Sequence, residues 1–334
     1  MRQLGKRFPF PGLPTGWYTV ALSTELKPGG ILTRRYFDQE LVVYRTASGK
    51  VRISSAFCPH MGAHLGRIGQ VEGEVLRCRF HGFQYDDTGR CVATSYGGPP
   101  PPRARLRFWE VREQNGLVMT WYDAEGRAPF WEVPALESEG WNRLRWKRYT
   151  IATHPQETTE NSVDFGHFTQ IHGFTDGSIT KPIKTRGELL TTSYRAYRGL
   201  PSPKLTWIKL PVDYDVTVRG LGYSQVDVDI PTIRLGFRLF VLPVPIDDEN
   251  IHLVIAGSTH RRMGPLAPLA RRIAHKIVCS EVDEDLDVWT YKTYVDTPAL
   301  AKGDGPVAEY RRYVRQFYPP DPEAAPGPRR VDAA

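Results

Sequence analysis

At 334 residues the chain can bury more than one core, and at roughly 100–200 residues per domain two domains are expected. The net charge is +7 and the pI near 9.2, yet the arginines are spread along the chain with no basic tail or nucleic-acid module. Nucleic-acid binding is therefore not expected, and the positive excess suits an acidic protein partner. Cys58, Cys78, Cys91 and Cys279 are too few and dispersed for a disulfide scaffold, no apolar run nears the ~18 residues that span a bilayer, and the N-terminus has no h-region, so a soluble, cytoplasmic protein is expected.

In chain order, β-rich runs punctuated by turns come first: 41–46 (LVVYRT), 51–57 (VRISSAF), 74–80 (EVLRCRF), 83–86 (FQYD) and 116–122 (GLVMTWY). They predict an all-β domain over residues 1–125, with the Gly/Pro run at 97–102 as a rigid loop inside it, because strand-like sequence follows. A second domain is predicted over 126–318. It has a helix over 156–170, strands at 223–230, 232–242 and 251–259, and a long closing helix over 278–294. The apolar strands at 232–242 and 251–259 are candidates to line a cavity. Residues 319–334 are Pro/Ala-rich and read as a disordered tail. The fold class is α+β.

Within the first domain, Cys58-x-His60 and Cys78-x-x-His81 each place a thiolate beside an imidazole at a β-turn. Two such loops can pinch one centre. Tetrahedral zinc accepts two Cys and two His, but zinc motifs usually pair like with like. Mixed pairs suit a Rieske [2Fe–2S] cluster, in which two thiolates hold one iron and two imidazoles the other. The flanks CPHMGAHLG and CRFHGFQYD resemble the two halves of the Rieske signature. His64 and Cys91 fall outside the pairs and read as loop or core residues.

A Rieske cluster alone passes single electrons, so the second domain decides between a carrier and a catalyst. Residues 160–174, ENSVDFGHFTQIHGF, offer Asn161, Asp164, His167 and His172. On a continuous helix Asp164 and His167 share a face. His167 and His172 lie about 140° apart and reach one metal only if the helix ends between them. Two His with a carboxylate and open positions suit non-haem Fe(II). The acidic helix carrying Glu281, Asp283, Glu284, Asp285 and Asp287 can supply that carboxylate. Val278, Val282, Leu286 and Trp289 form its apolar stripe, and Asp285 lies within ~40° of the stripe's centre. Asp283 and Asp287 face away, and Glu281 at the margin is the runner-up. An inward carboxylate is costly unless paired or metal-bound, which favours Asp285.

Over nearly its whole length the chain resembles the Rieske non-haem iron oxygenases of α-subunit (terminal oxygenase) type. NSVDFGHFTQIH is similar to the family's N-x-x-D-x-x-H-x₄-H motif, and Asp285 stands where its third ligand is expected. The C-terminal run from 288 to 319 looks most like the 3-ketosteroid 9α-hydroxylase and cholesterol 7-desaturase branch. The resemblance implies a START-like, helix-grip catalytic domain with an antiparallel sheet around a long helix, and a head-to-tail homotrimer or its stacked hexamer. It implies a [2Fe–2S] cluster on Cys58, His60, Cys78 and His81, and mononuclear Fe(II) on His167, His172 and Asp285. Asn161 and Asp164 are implied as catalytic, Asp164 bridging His167 and His81 of the partner subunit. The implied reaction is O₂-dependent hydroxylation or desaturation of a hydrophobic polycyclic substrate, steroid- or terpenoid-like. Demethylation at O or N and ring dihydroxylation are the alternatives on the same fold, and a Rieske electron carrier or zinc module the alternatives outside it. No G-x-G-x-x-G follows a strand, so NAD(P)H electrons are expected indirectly, through a separate flavin reductase or ferredoxin.

Overall fold

A computed structural model describes residues 6–199 and 209–320 of the chain. The predicted tail therefore lies almost wholly outside the described residues. Three small antiparallel sheets build the N-terminal part. Gly16–Leu22, which the sequence reading missed, pairs with Leu117–Tyr122, itself paired with Val111–Gln114. Ile31–Tyr36, Gln39–Arg45 and Val51–Ser55 form the second sheet, its first hairpin closed by Phe37 and Asp38 at φ 55° and 56°, as a two-residue turn matched to strand twist requires. Gly69–Glu72, Val75–Cys78, Phe83–Tyr85 and Cys91–Ala93 form the third.

The C-terminal part is one seven-stranded antiparallel sheet. Its order is Arg145–Ile151, Ile251–Thr259, Leu235–Pro245, Tyr223–Ile230, Lys209–Arg219, Leu189–Gly199, Thr175–Arg186. Four of these strands lie outside the predicted ones, and Leu235–Pro245 begins after a 3-10 turn at Pro231–Ile233. The long helix spans Ala267–Tyr291, starting eleven residues before the predicted 278. Its Cys279, Val282 and Trp289 pack on Tyr149, Ile251, Leu253 and Ile255. Leu239 and Val241 join that packing, while Arg238, Phe240 and Ser258 of the same strands line a separate cavity of about 300 Å³. At the opposite end of the sheet, Val307–Val314 buries Tyr310, Tyr313 and Val314 against Leu190, Val216 and Val218.

The two parts share a core. Trp17, Leu117, Trp121, Trp131 and Val133 pack against Tyr223, Phe240, Leu242 and Val254. Half-buried Glu25 ties Arg34 of the first part to Arg148 of the second at 2.9 and 3.0 Å. Arg7 donates to the Trp289, Lys292 and Ala152 carbonyls at 2.6, 2.7 and 2.9 Å, a cation on the long helix's C-terminal carbonyls worth about 0.3–1 kcal/mol. No helix among the described residues is long and apolar enough to cross a membrane.

Candidate metal centres

The two Cys/His loops are built alike. Four residues after each cysteine stands a glycine, Gly62 or Gly82, at φ 74° or 68°, and its N–H donates to the cysteine's carbonyl at 2.9 or 2.8 Å. Only a residue without a Cβ turns this tightly at low cost, and a Cβ at Gly82 would strike Ser95. The turns bring buried Cys58 and Cys78 against each other. They also set the His60 and His81 rings 4.7 Å apart and near perpendicular, His60 stacking on Phe83 at 4.2 Å.

This donor set fits a Rieske cluster. Burial pushes the Cys78 thiol up, and Cys58 beside it adds to that, so two thiolates persist here only if a metal centre supplies positive charge. His81 Nδ1 is buried without a hydrogen-bond partner, an orphan that a metal ligand would not be. Tyr85 OH lies 3.0 Å from Cys58 Sγ. His64 is turned elsewhere: its Nδ1 accepts from Gly66 N–H at 3.1 Å and caps the turn Leu65–Ile68. The Cys91 thiol donates to the Ala93 carbonyl.

In the C-terminal part the predicted helix over 156–170 is two short ones, Pro155–Glu160 and Gly166–Gln170. Asp164 therefore does not share a helical face with His167. It lies two residues before the second helix, Oδ1 accepting from the Gly166 and His167 N–H groups at 3.1 and 3.4 Å, while Oδ2 lies 3.4 Å from His167 Nδ1. That last approach is close but not aligned as a hydrogen bond. Burial raises the Asp164 pKa, but His167 and the two N–H groups outweigh it and hold the carboxyl below its usual range. The second helix ends before His172, and Gly173 at φ 66° turns the chain.

That break lets the histidines converge. One ligand atom from each of His167, His172 and Asp285 lies within 4.8 Å of the others, and the two rings sit 5.3 Å apart at 79°. Asp285 is 6% exposed and its Oδ2 lies 3.4 Å from His172 Nε2. Asn161 Nδ2 donates to the same oxygen at 3.4 Å. The runner-up, Glu281, is instead ion-paired with Arg198, and Asp283 with Lys147. One contact was absent from the sequence reading: Glu284 Oε2 lies 2.9 Å from His172 Nδ1. Two imidazoles and a carboxylate converging around open space are a donor set for Fe(II).

A cavity of about 230 Å³ is lined by Phe165, Phe168, Phe174, Ile179, Tyr194 and Ala196 among others, and Phe168 stands between it and this centre. Phe168 bounds it, its ring 4.4 Å from that of His167. The lining strands are Thr175–Arg186 and Leu189–Gly199, not the apolar pair expected from the sequence.

Residues 120–318 match the 3-Ketosteroid 9alpha-hydroxylase C-terminal domain family, and residues 16–103 the Rieske [2Fe-2S] domain family. The cholesterol 7-desaturase nvd 1 of Ciona intestinalis is 28% identical, aligned over 95% of this chain and 71% of its own. A 3-ketosteroid-9-alpha-monooxygenase oxygenase component of Rhodococcus rhodochrous is 26% identical over 91% of this chain and 83% of its own. Among solved structures, NdmA of Pseudomonas putida CBB5 with caffeine superposes with a TM-score of 0.71 at 21% identity, covering 90% of this chain and 89% of that one. Dicamba monooxygenase bound to dicamba superposes at 0.65 and 17%, covering 90% and 96%.

Proposed function

The chain belongs to the Rieske oxygenases that carry the 3-ketosteroid 9α-hydroxylase C-terminal domain, and we propose that its substrate is a hydrophobic, polycyclic, steroid-like molecule that it hydroxylates or desaturates. It is a terminal oxygenase using a Rieske [2Fe–2S] cluster and a mononuclear iron, with O₂ and electrons from a partner reductase or ferredoxin. When bound, the cluster supplies one-electron transfer and the iron O₂ activation.

In this reading Cys58, Cys78, His60 and His81 hold the cluster, and His167, His172 and Asp285 hold the iron. Asn161 fixes the Asp285 carboxylate, and Asp164 Oδ2 stands beside His167 Nδ1. The observation that carries the reading is the convergence of His167, His172 and Asp285, which an electron carrier or a zinc module would not need. The apolar cavity beside Phe168 supports a hydrophobic substrate, as do relatives named for ketosteroids and cholesterol. Demethylation and ring dihydroxylation rest on likeness of fold alone.

A head-to-tail homotrimer, or its stacked hexamer, belongs to the same proposal. Among the described residues no hydrogen bond, ion pair or ring contact joins the 57–96 loops to His167, His172 or Asp285. Phe57, Met61, Phe80 and Tyr96 stand exposed around the cluster loops, as a surface that meets a partner subunit would. In that assembly Asp164 reaches His81 of the partner subunit. The four free cysteines support the cytoplasm as its compartment.

The test is twofold. Protein purified without oxygen should contain iron in excess of acid-labile sulfide, and equal amounts would leave only the cluster. Reduced protein given O₂ and a panel of steroids, caffeine and dicamba should convert a steroid. Conversion of an aryl ether or N-methyl compound alone would replace the substrate reading.

A further inference from the structure

The geometry assigns Glu284 a role as the residue that positions His172 for iron. This rests on the reading that His167, His172 and Asp285 hold the metal. Glu284 Oε2 lies 2.9 Å from His172 Nδ1, while the ring's other nitrogen faces Asp285 Oδ2 at 3.4 Å. An imidazole that donates its Nδ1–H to a carboxylate is fixed in the tautomer that leaves the Nε2 lone pair free for a metal. His167 differs: its Nδ1 lies 3.4 Å from Asp164 Oδ2 without being aligned as a hydrogen bond. Of the two imidazoles, His172 is thus the one whose Nδ1 carries a hydrogen-bonded carboxylate.

Glu284 and Asp285 are successive residues of one helix, about 100° apart around its axis. Asp285 points inward, whereas the Glu284 side chain is 48% exposed and reaches back to a ring that is only 4% exposed. Among the described residues its one ionic partner is His172. The pair therefore grips the ring from two sides, with Glu284 as its solvent-side wall. A glutamate on the outward edge of an acidic helix would ordinarily be a solvated charge, and the directed contact with a buried imidazole separates it from Asp287 on the same helix.

The experiment is an anaerobic Fe(II) titration of full-length, cluster-loaded protein whose mononuclear site has been stripped with a chelator. It is followed by near-infrared magnetic circular dichroism, which reads the iron's coordination geometry. Glu284→Ala should bind Fe(II) about 10–100-fold more weakly with an altered ligand-field pattern, and Glu284→Gln, whose amide oxygen can still accept, should lose less. The cluster's visible spectrum should stay unchanged in both, showing that the chain has folded. Asp287→Ala should bind as the wild type does. Glu284→Ala binding within twofold of wild type, or Asp287→Ala weakening it equally, would overturn the assignment. Asp285→Ala separates the two levels: it should abolish binding, and iron retained there refutes the ligand set itself.

Discussion

Tyr85→Phe should lower the reduction potential of the cluster. The phenol lies 3.0 Å from Cys58 Sγ, both residues are buried, and burial together with Cys58 pushes the phenol's pKa up, so the tyrosine keeps its proton and donates to the thiolate. Reduction adds negative charge around that sulfur and strengthens the bond, so the bond favours the reduced state. A hydrogen bond to a charged group is worth about 1.5–3 kcal/mol. If about a third to a half of that arises on reduction, the loss is ~0.5–1.5 kcal/mol, or about 20–65 mV for one electron. Tyr85 is 0% exposed, so water does not replace the missing hydroxyl, and phenylalanine fills the same space. The assay is a redox titration of wild type and variant followed by circular dichroism of the cluster. An unchanged or raised potential in a fully loaded variant would refute the argument.

Asp285→Ala should keep the cluster signal but lose the mononuclear iron and turnover, whereas Glu281→Ala, which breaks only the pair with Arg198, should keep both; metal analysis of the two variants checks this. Asp164→Asn should load both centres and bind substrate yet form little product in a single turnover of pre-reduced protein, and product at the wild-type rate would remove Asp164 from the electron route. Burial pushes the His154 pKa down to about 3, while an unfolded histidine titrates near 6.5. Below that value the unfolded chain takes up a proton that the folded one refuses, so stability falls with pH, by about 2 kcal/mol between pH 7.5 and 5. Urea midpoints at the two pH values should converge in His154→Asn, which keeps a side-chain acceptor at the N-cap of Pro155–Glu160, and an undiminished pH dependence would show that other groups cause it.

The cluster loops were legible because everything they need is local: ligand, turn glycine and flanking residues lie within a few positions. Asp285 was legible because helical periodicity marks an inward carboxylate as anomalous. Glu284 was not, since it sits on the outward edge and its partner is 112 residues away. The break at 161–165 was hidden because Asp164 takes backbone N–H groups by its side chain, a competition that spacing does not reveal. Leu269 and Ile273 are exposed, so the first half of the long helix shows no clean stripe and its start was placed too late. Thr175–Arg186 is exposed along most of its length and has no alternation to read.

The core beneath the cluster loops draws only on residues between Ile31 and Phe108. During synthesis from the N-terminus, that lobe can close and receive its cluster while the catalytic sheet is still unmade. The proposed iron centre cannot: Asp285 emerges late, and Tyr310, Tyr313 and Phe317, which pack on the sheet with Phe165 and Phe168, emerge later still. A nascent chain therefore passes through a stage at which the residues of that core are all made and the trio His167, His172 and Asp285 is not. Synthesis order thus lets the core beneath the cluster loops close before the three residues that converge in the second part are all present.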